Sequence, residues 1–202
     1  SNLLAGDLNG DGSTEILVIS DTGGNGGMGS VVFDLLTMED GIFKPCTASF
    51  LGAECTYFNF DCNYTEFPSY RVGGIDTNYS TNGKLTEEQQ SDPAFTEFKQ
   101  MSVDSRAGFV NLVVNESGTG YYIAVHQQLY GDNPSAMIGR CITYLRLEQG
   151  QPVIYKQEFI DLNGPVCSDL VCIDYTHYPA VHMVSAEQSQ SAEPMGSESN
   201  VI

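Results

Sequence analysis

The chain has 202 residues and sets 8 Lys and Arg against 26 Asp and Glu, a formal net charge of -18. Nucleic acids and anionic membrane surfaces therefore meet almost none of the clustered positive charge that binds phosphate. With 41% apolar and 17% charged residues, the chain can fill a core and is too sparsely charged to stay open by self-repulsion.

No stretch approaches the roughly 18 consecutive apolar residues of a membrane helix, so membrane insertion is not expected. Ser1-Asn2-Leu3-Leu4-Ala5-Gly6 has neither the basic end nor the apolar middle of a signal peptide, and the expectation is a mature chain or one excised from something longer. Six cysteines, Cys46, Cys55, Cys62, Cys141, Cys167 and Cys172, form an even set that fits an oxidising compartment and up to three disulfides, with 15 connectivities open. Sequons at Asn63, Asn78 and Asn115 fit a glycosylated extracellular protein.

In chain order, residues 1–36 read as strand, acidic loop, strand, glycine loop, strand. Glu15-Ile16-Leu17-Val18-Ile19-Ser20 is a short apolar run between turn residues, which predicts a strand buried on both faces. Gly23 to Gly29 cannot hold regular structure, and Ser30 to Leu36 resumes a β-branched and aromatic run. From about Cys46 to Asn82, aromatics alternate with Asn, Asp, Thr and Gly, and the expectation is irregular or short-stranded chain held by cross-links.

One short helix is predicted near 86–101. Thr86-Glu87-Glu88-Gln89 has capping-box spacing and Asp92-Pro93 offers a second start. Phe95, Phe98 and Met101 would lie on one side of it, against a sheet. Strands follow over 108–115, 121–128 and 140–148, and a turn at Gln149-Gly150-Gln151-Pro152 makes a hairpin with 153–160. Residues 186–202 read as a flexible polar tail after a single β-rich domain over 1–185. The fold class is mainly β, with antiparallel sheets arranged like a propeller blade or a sandwich.

The most specific segment is Asp7-Leu8-Asn9-Gly10-Asp11-Gly12-Ser13-Thr14-Glu15. Oxygen donors from Asp7, Asn9, Asp11 and Glu15, with the Ser13 carbonyl, can converge on one hard cation, and glycines between them let the backbone curl. Six to eight oxygens at about 2.3 to 2.6 Å suit Ca²⁺ better than Mg²⁺, and the absence of soft ligands argues against zinc or copper. An EF-hand would need Glu at the twelfth position, where Val18 stands.

Ala5 to Gly12, the Glu15-Ile16-Leu17-Val18 strand and Gly27-Met28-Gly29-Ser30-Val31-Val32-Phe33 together resemble one FG-GAP repeat of the VCBS, integrin-α-like type, over about residues 3–36. The resemblance implies a Ca²⁺ loop between strands of a propeller blade, in a family serving mainly in extracellular adhesion and ligand binding. A full propeller has about seven such blades. No second intact Asp-x-Asn-x-Asp-Gly loop follows, and Asp161-Leu162-Asn163-Gly164 meets Pro165 before supplying a third acid.

Other constellations carry less. Asn78 to Gln89 echoes an EF-hand but lacks its acids and reads better as a helix-capping turn. Cys167, Cys172, His177 and His182 lack the usual zinc spacing. A nucleophilic pairing of Cys141 with His126 has no signature around it. Tyr121-Tyr122, Tyr175 and Tyr178 offer either a glycan-stacking surface or ordinary sheet filling.

The sequence thus points to an extracellular or cell-surface, calcium-stabilised β module for binding or adhesion, or to a component of a surface assembly. Its partners would be an extracellular protein or a glycan, or further copies of itself. The alternatives are a secreted, polysaccharide-directed hydrolase braced by a structural calcium, and a subunit of an extracellular filament or coat. A binding role is favoured over catalysis.

Overall fold

A computed structural model describes residues 2–21, 31–45, 60–75, 77–104 and 108–162. The protein is mainly β. Its antiparallel sheets number three among the described residues: one of four strands, one of three, and one of five built on long strands over residues 121–161.

The first sheet is a meander of β1 (Asn2–Gly6), β2 (Glu15–Asp21), β3 (Val31–Glu39) and β4 (Ile42–Pro45). Its register pairs Leu4 with Leu17 and Ile19 with Phe33. Burial along β2 alternates: Glu15, Leu17 and Ile19 are buried, while Ile16, Val18 and Ser20 are half-buried. This corrects the expectation of a strand covered on both faces. The apolar run reflects β-branched residues suited to a pleated strand, and only one face of the sheet packs fully on a neighbour. That face contributes Leu17, Ile19, Phe33 and Leu35 to a cluster shared with Val110, Leu112, Ile123, Val125, Leu145 and Leu147.

The second sheet, β5 (Phe60–Glu66), β6 (Ser69–Gly74) and β7 (Ser80–Lys84), lies where irregular or short-stranded chain was expected. It is short-stranded and regular, with Cys62 opposite Val72 and Tyr70 opposite Gly83. Residues 46–59 lie outside the described residues.

The helix predicted over 86–101 is a 3-10 turn at Gln89–Ser91 followed by one α turn, α1 (Pro93–Thr96). Both starts are made as their sequences require. The Thr86 amide donates to Gln89 Oε1 at 2.9 Å and the Gln89 amide to Thr86 Oγ1 at 3.2 Å, a reciprocal capping box. The Ala94 amide donates to Asp92 Oδ1 at 2.8 Å. The helix stops because the Asp132 carboxylate takes the amides of Phe98 and Gln100, each at 2.8 Å, and Lys99 turns to left-handed backbone at φ 52°. Phe95 is buried, Met101 half-buried, and Phe98 is 65% exposed, so the expected apolar side loses Phe98 to solvent.

The third sheet contains β8 (Ser102–Val103), β9 (Phe109–Val114), β10 (Tyr121–Tyr130), β11 (Met137–Glu148) and β12 (Gln151–Asp161). β8 and β9 pair with different stretches of β10, and β10, β11 and β12 follow as a meander. The β11–β12 hairpin turns on Gln149 and Gly150, both with positive φ (53° and 73°), the backbone of a primed two-residue turn.

One face of the long strands meets both smaller sheets. Val125 and Leu145 belong to the cluster with the first sheet. Leu129, Ile138 and Cys141 belong to a second, with Tyr70, Val72, Leu85 and Phe95. Burying each such aliphatic side chain is worth roughly 1.5–3 kcal/mol, so β10 and β11 join two cores along their length. The tail expected over 186–202 lies outside the described residues.

Candidate metal loop and its surroundings

Asp7 to Thr14 connect β1 to β2, with Glu15 as the first residue of β2. Gly10 and Gly12 both take left-handed backbone, φ 78° and 85°, which lets the loop reverse twice in a few residues at little steric cost. Side-chain oxygens organise the reversals. Asp7 accepts the Gly10 amide at 2.6 Å and the Gly12 amide at 3.0 Å. Asn9 Oδ1 accepts the Asp11 amide at 2.9 Å, and Asp11 Oδ1 accepts the Ser13 amide at 2.7 Å and the Ser13 hydroxyl.

Glu15 closes the loop from within. It is 1% exposed; its Oε2 accepts the Leu8 amide at 2.7 Å, and its Oε1 faces the Asn9 amide at 3.2 Å and the Ser13 hydroxyl at 3.3 Å. The structure thus brings Asn9, Asp11, Ser13 and Glu15 into one hydrogen-bonded group, with Asp7 bound to the same stretch of backbone. Burial raises the Glu15 carboxyl above its ordinary range, with smaller contributions from the charges of Asp11 and Asp7, against the lowering effect of the Leu8 amide and Ser13. The exposed Asp11 carboxyl is lowered, mainly by the Ser13 hydroxyl and amide. No Lys or Arg pairs with Glu15 among the described residues.

The loop is fastened to the body of the protein. Leu8 is buried in the first cluster, and the Tyr121 amide at the start of β10 donates to the Asp7 carbonyl at 3.0 Å. Gly6 and Gly120 allow this approach: a Cβ on Gly6 would sit 2.8 Å from the Tyr121 ring, and one on Gly120 2.9 Å from the Asp7 carbonyl.

Among the described residues no group of three or more His, Cys, Asp and Glu stands ready to hold a metal ion. The donor set fits a hard cation in chemical kind, being oxygen throughout. The Asn9 amide nitrogen, however, faces the Asp11 and Glu15 carboxylates at 2.9 and 3.2 Å.

The other constellations separate. His126 and Cys141 lie on neighbouring strands but on opposite faces, because His126 is opposite Ile142 and Cys141 opposite Gln127, and successive side chains point to opposite sides of a sheet. This removes the Cys–His pairing. His126 Nε2 lies 3.0 Å from Asn111 Oδ1, with the ring beside Phe109. Burial, and secondarily Arg140, lower its pKa to about 4. The segment 78–89 holds strand β7 and then the capped turn that its sequence suggested. Cys167, Cys172, His177, His182, Tyr175 and Tyr178 lie outside the described residues.

Tyr122, of the Tyr121-Tyr122 pair offered as a stacking surface, has a partner that the sequence did not single out. Tyr122 on β10 and Tyr155 on β12 stack with ring centroids 4.7 Å apart, and the Arg146 guanidinium lies 5.2 Å from the Tyr155 ring. The Glu116 carboxylate accepts both phenolic hydroxyls, that of Tyr155 at 3.2 Å. A bulge in the β11–β12 pairing after Tyr144 brings Tyr155 into place, and no local sequence pattern signals it.

No protein-family model, curated protein or solved structure matches the chain.

Proposed function

We propose that the chain is a calcium-stabilised extracellular β module that acts by binding a glycan or protein partner, with Asp7, Asn9, Asp11, the Ser13 carbonyl and Glu15 holding one Ca²⁺. The observation that carries the reading is Glu15: a carboxylate 1% exposed, set among further acids and without a basic partner among the described residues, is costly unless a charge offsets it. A divalent cation would supply that charge. Asn9 would turn its carbonyl oxygen inward and give up its amide contacts to Asp11 and Glu15.

The surrounding architecture supports the same reading. A four-stranded antiparallel meander with an acidic loop between its first two strands has the strand count and order of a propeller blade. The stacked tyrosines, of which Tyr155 is exposed, set aromatic surface beside the charged groups of Arg146 and Glu116, residue types suited to contact with a sugar or an aromatic partner.

Thermal unfolding with Ca²⁺ and with a chelator tests the site. A cation binding only the folded loop stabilises by about 2.7 kcal/mol at a hundred times its Kd, which corresponds to a Tm increase of roughly 5–10 °C for a chain of this size. Asp11→Ala should abolish that increase. Equal midpoints for the wild type with and without chelator would overturn the proposal.

A further inference from the structure

We propose that Cys62 and Cys141 form a disulfide that joins the three-stranded sheet to the five-stranded sheet. The two residues are 79 positions apart in the chain and belong to different sheets, yet both line the second core cluster. Cys62 is half-buried on β5, opposite Val72; Cys141 is fully buried on β11, opposite Phe159. The Phe159 ring meets Tyr70 of the smaller sheet edge-on, with centroids 6.2 Å apart, so the sheets are already in contact around the two sulfurs. Both are free thiols in the structure, and the Cys62 thiol is near enough to raise the pKa of the Cys141 thiol. A bridge requires two cysteines that approach and face each other, since those far apart or pointing away cannot be joined without backbone movement, and the shared cluster places both on the packed faces of their sheets.

The difference in exposure sets the order of the chemistry. The oxidant is a small-molecule disulfide of the glutathione type. The Cys62 thiol loses its proton and its sulfur attacks the oxidant, breaking that disulfide, forming a mixed disulfide and releasing one reduced thiol. The Cys141 sulfur, also deprotonated, then attacks the Cys62 sulfur and expels the second reduced thiol. Two protein thiols are oxidised by two electrons and one oxidant disulfide is reduced to two thiols. Cys141 is buried where Cys62 is half-buried, and the neighbouring Cys62 thiol, then burial, raise the Cys141 pKa, so Cys141 is the slower nucleophile and the resolving one. Neither cysteine belongs to the acidic loop, so the bridge stands or falls independently of calcium.

Peptide mapping of the wild-type protein, equilibrated with oxidised and reduced glutathione and then alkylated under denaturing conditions, tests the pairing. The expected result is a cross-linked peptide pair containing Cys62 and Cys141. Either residue joined to Cys46, Cys55, Cys167 or Cys172, or both residues alkylated, would overturn it. In the reduced native protein a brief alkylation should modify Cys62 before Cys141. Cys141→Ser, unable to resolve the first step, should retain one glutathione on Cys62; the wild-type map decides the pairing even if that variant fails to fold.

Discussion

Glu15 and His126 are both buried and titratable, and each gives the stability of the fold a pH dependence of definite sign. The Glu15 carboxyl is raised in the fold above its ordinary 4.5, chiefly by burial. A carboxyl of this kind stabilises the cation-free fold while protonated, and that contribution is lost as pH rises through its folded pKa. Calcium needs the ionised form, so its stabilisation should grow over the same interval. In chelator, the wild type should therefore lose stability relative to Glu15→Gln as pH rises from about 4.5, and Glu15→Gln should gain nothing from calcium at any pH. Denaturant unfolding across the interval checks both trends; a difference independent of pH would separate Glu15 from the effect. His126 has the opposite sign. Its folded pKa of about 4 lies below the ordinary 6.5, so the unfolded chain takes up its proton first as pH falls. The full contribution is present above pH 6.5 and decays toward pH 4, by about 3 kcal/mol in all. His126→Gln should remove most of that slope, measured as unfolding free energy at pH 7 and pH 4.5.

Among the elements, the β6–β7 pair shows how a glycine in a strand can be a packing requirement. Gly83 is opposite Tyr70, and a Cβ at Gly83 would stand 2.2 Å from the Tyr70 ring. That ring is 1% exposed and its hydroxyl donates to Asp161 at 2.8 Å, so it has nowhere to move. Gly83→Ala should destabilise the protein by roughly 2–4 kcal/mol, and pairing it with Tyr70→Leu should recover part of the loss, read as a non-additive double-mutant cycle. In sequence Gly83 looked like a turn residue, because its partner across the sheet cannot be seen locally. The strands 108–115, 121–128, 140–148 and 153–160 were legible from their apolar and β-branched runs and from the Gln149-Gly150 turn. Each proved longer or shorter by only a few residues. The helix near 86–101 was legible in its caps and not in its length: Asp132, far along the chain, takes the amides that would have continued it. The acidic loop was legible because its curl depends on glycines and side chains within nine residues. The Tyr122–Tyr155 stack and the Cys62–Cys141 approach depend on long-range pairing, which spacing along the chain does not encode.

At the scale of the whole molecule, the long strands decide how far a local event spreads. β10 contributes Ile123 and Val125 to the first cluster and Leu129 to the second; β11 contributes Leu145 and Leu147 to the first and Ile138 and Cys141 to the second. Neither smaller sheet can separate without exposing apolar surface on strands that the other also covers, which is the condition for one cooperative transition. The acidic loop enters this frame through buried Leu8 and through the Tyr121 amide bound to the Asp7 carbonyl. Calcium held by the loop should then stabilise amides on strands it never touches. At a hundred times Kd, where the stabilisation is about 2.7 kcal/mol, the slowest-exchanging amides of β6 should slow by about a hundredfold together with those of β2 and β10, since all exchange through the same global opening. Native-state hydrogen exchange with and without chelator measures this. Protection confined to β1 and β2, with β6 unchanged, would show the first sheet opening by itself and would make the long strands two independent platforms.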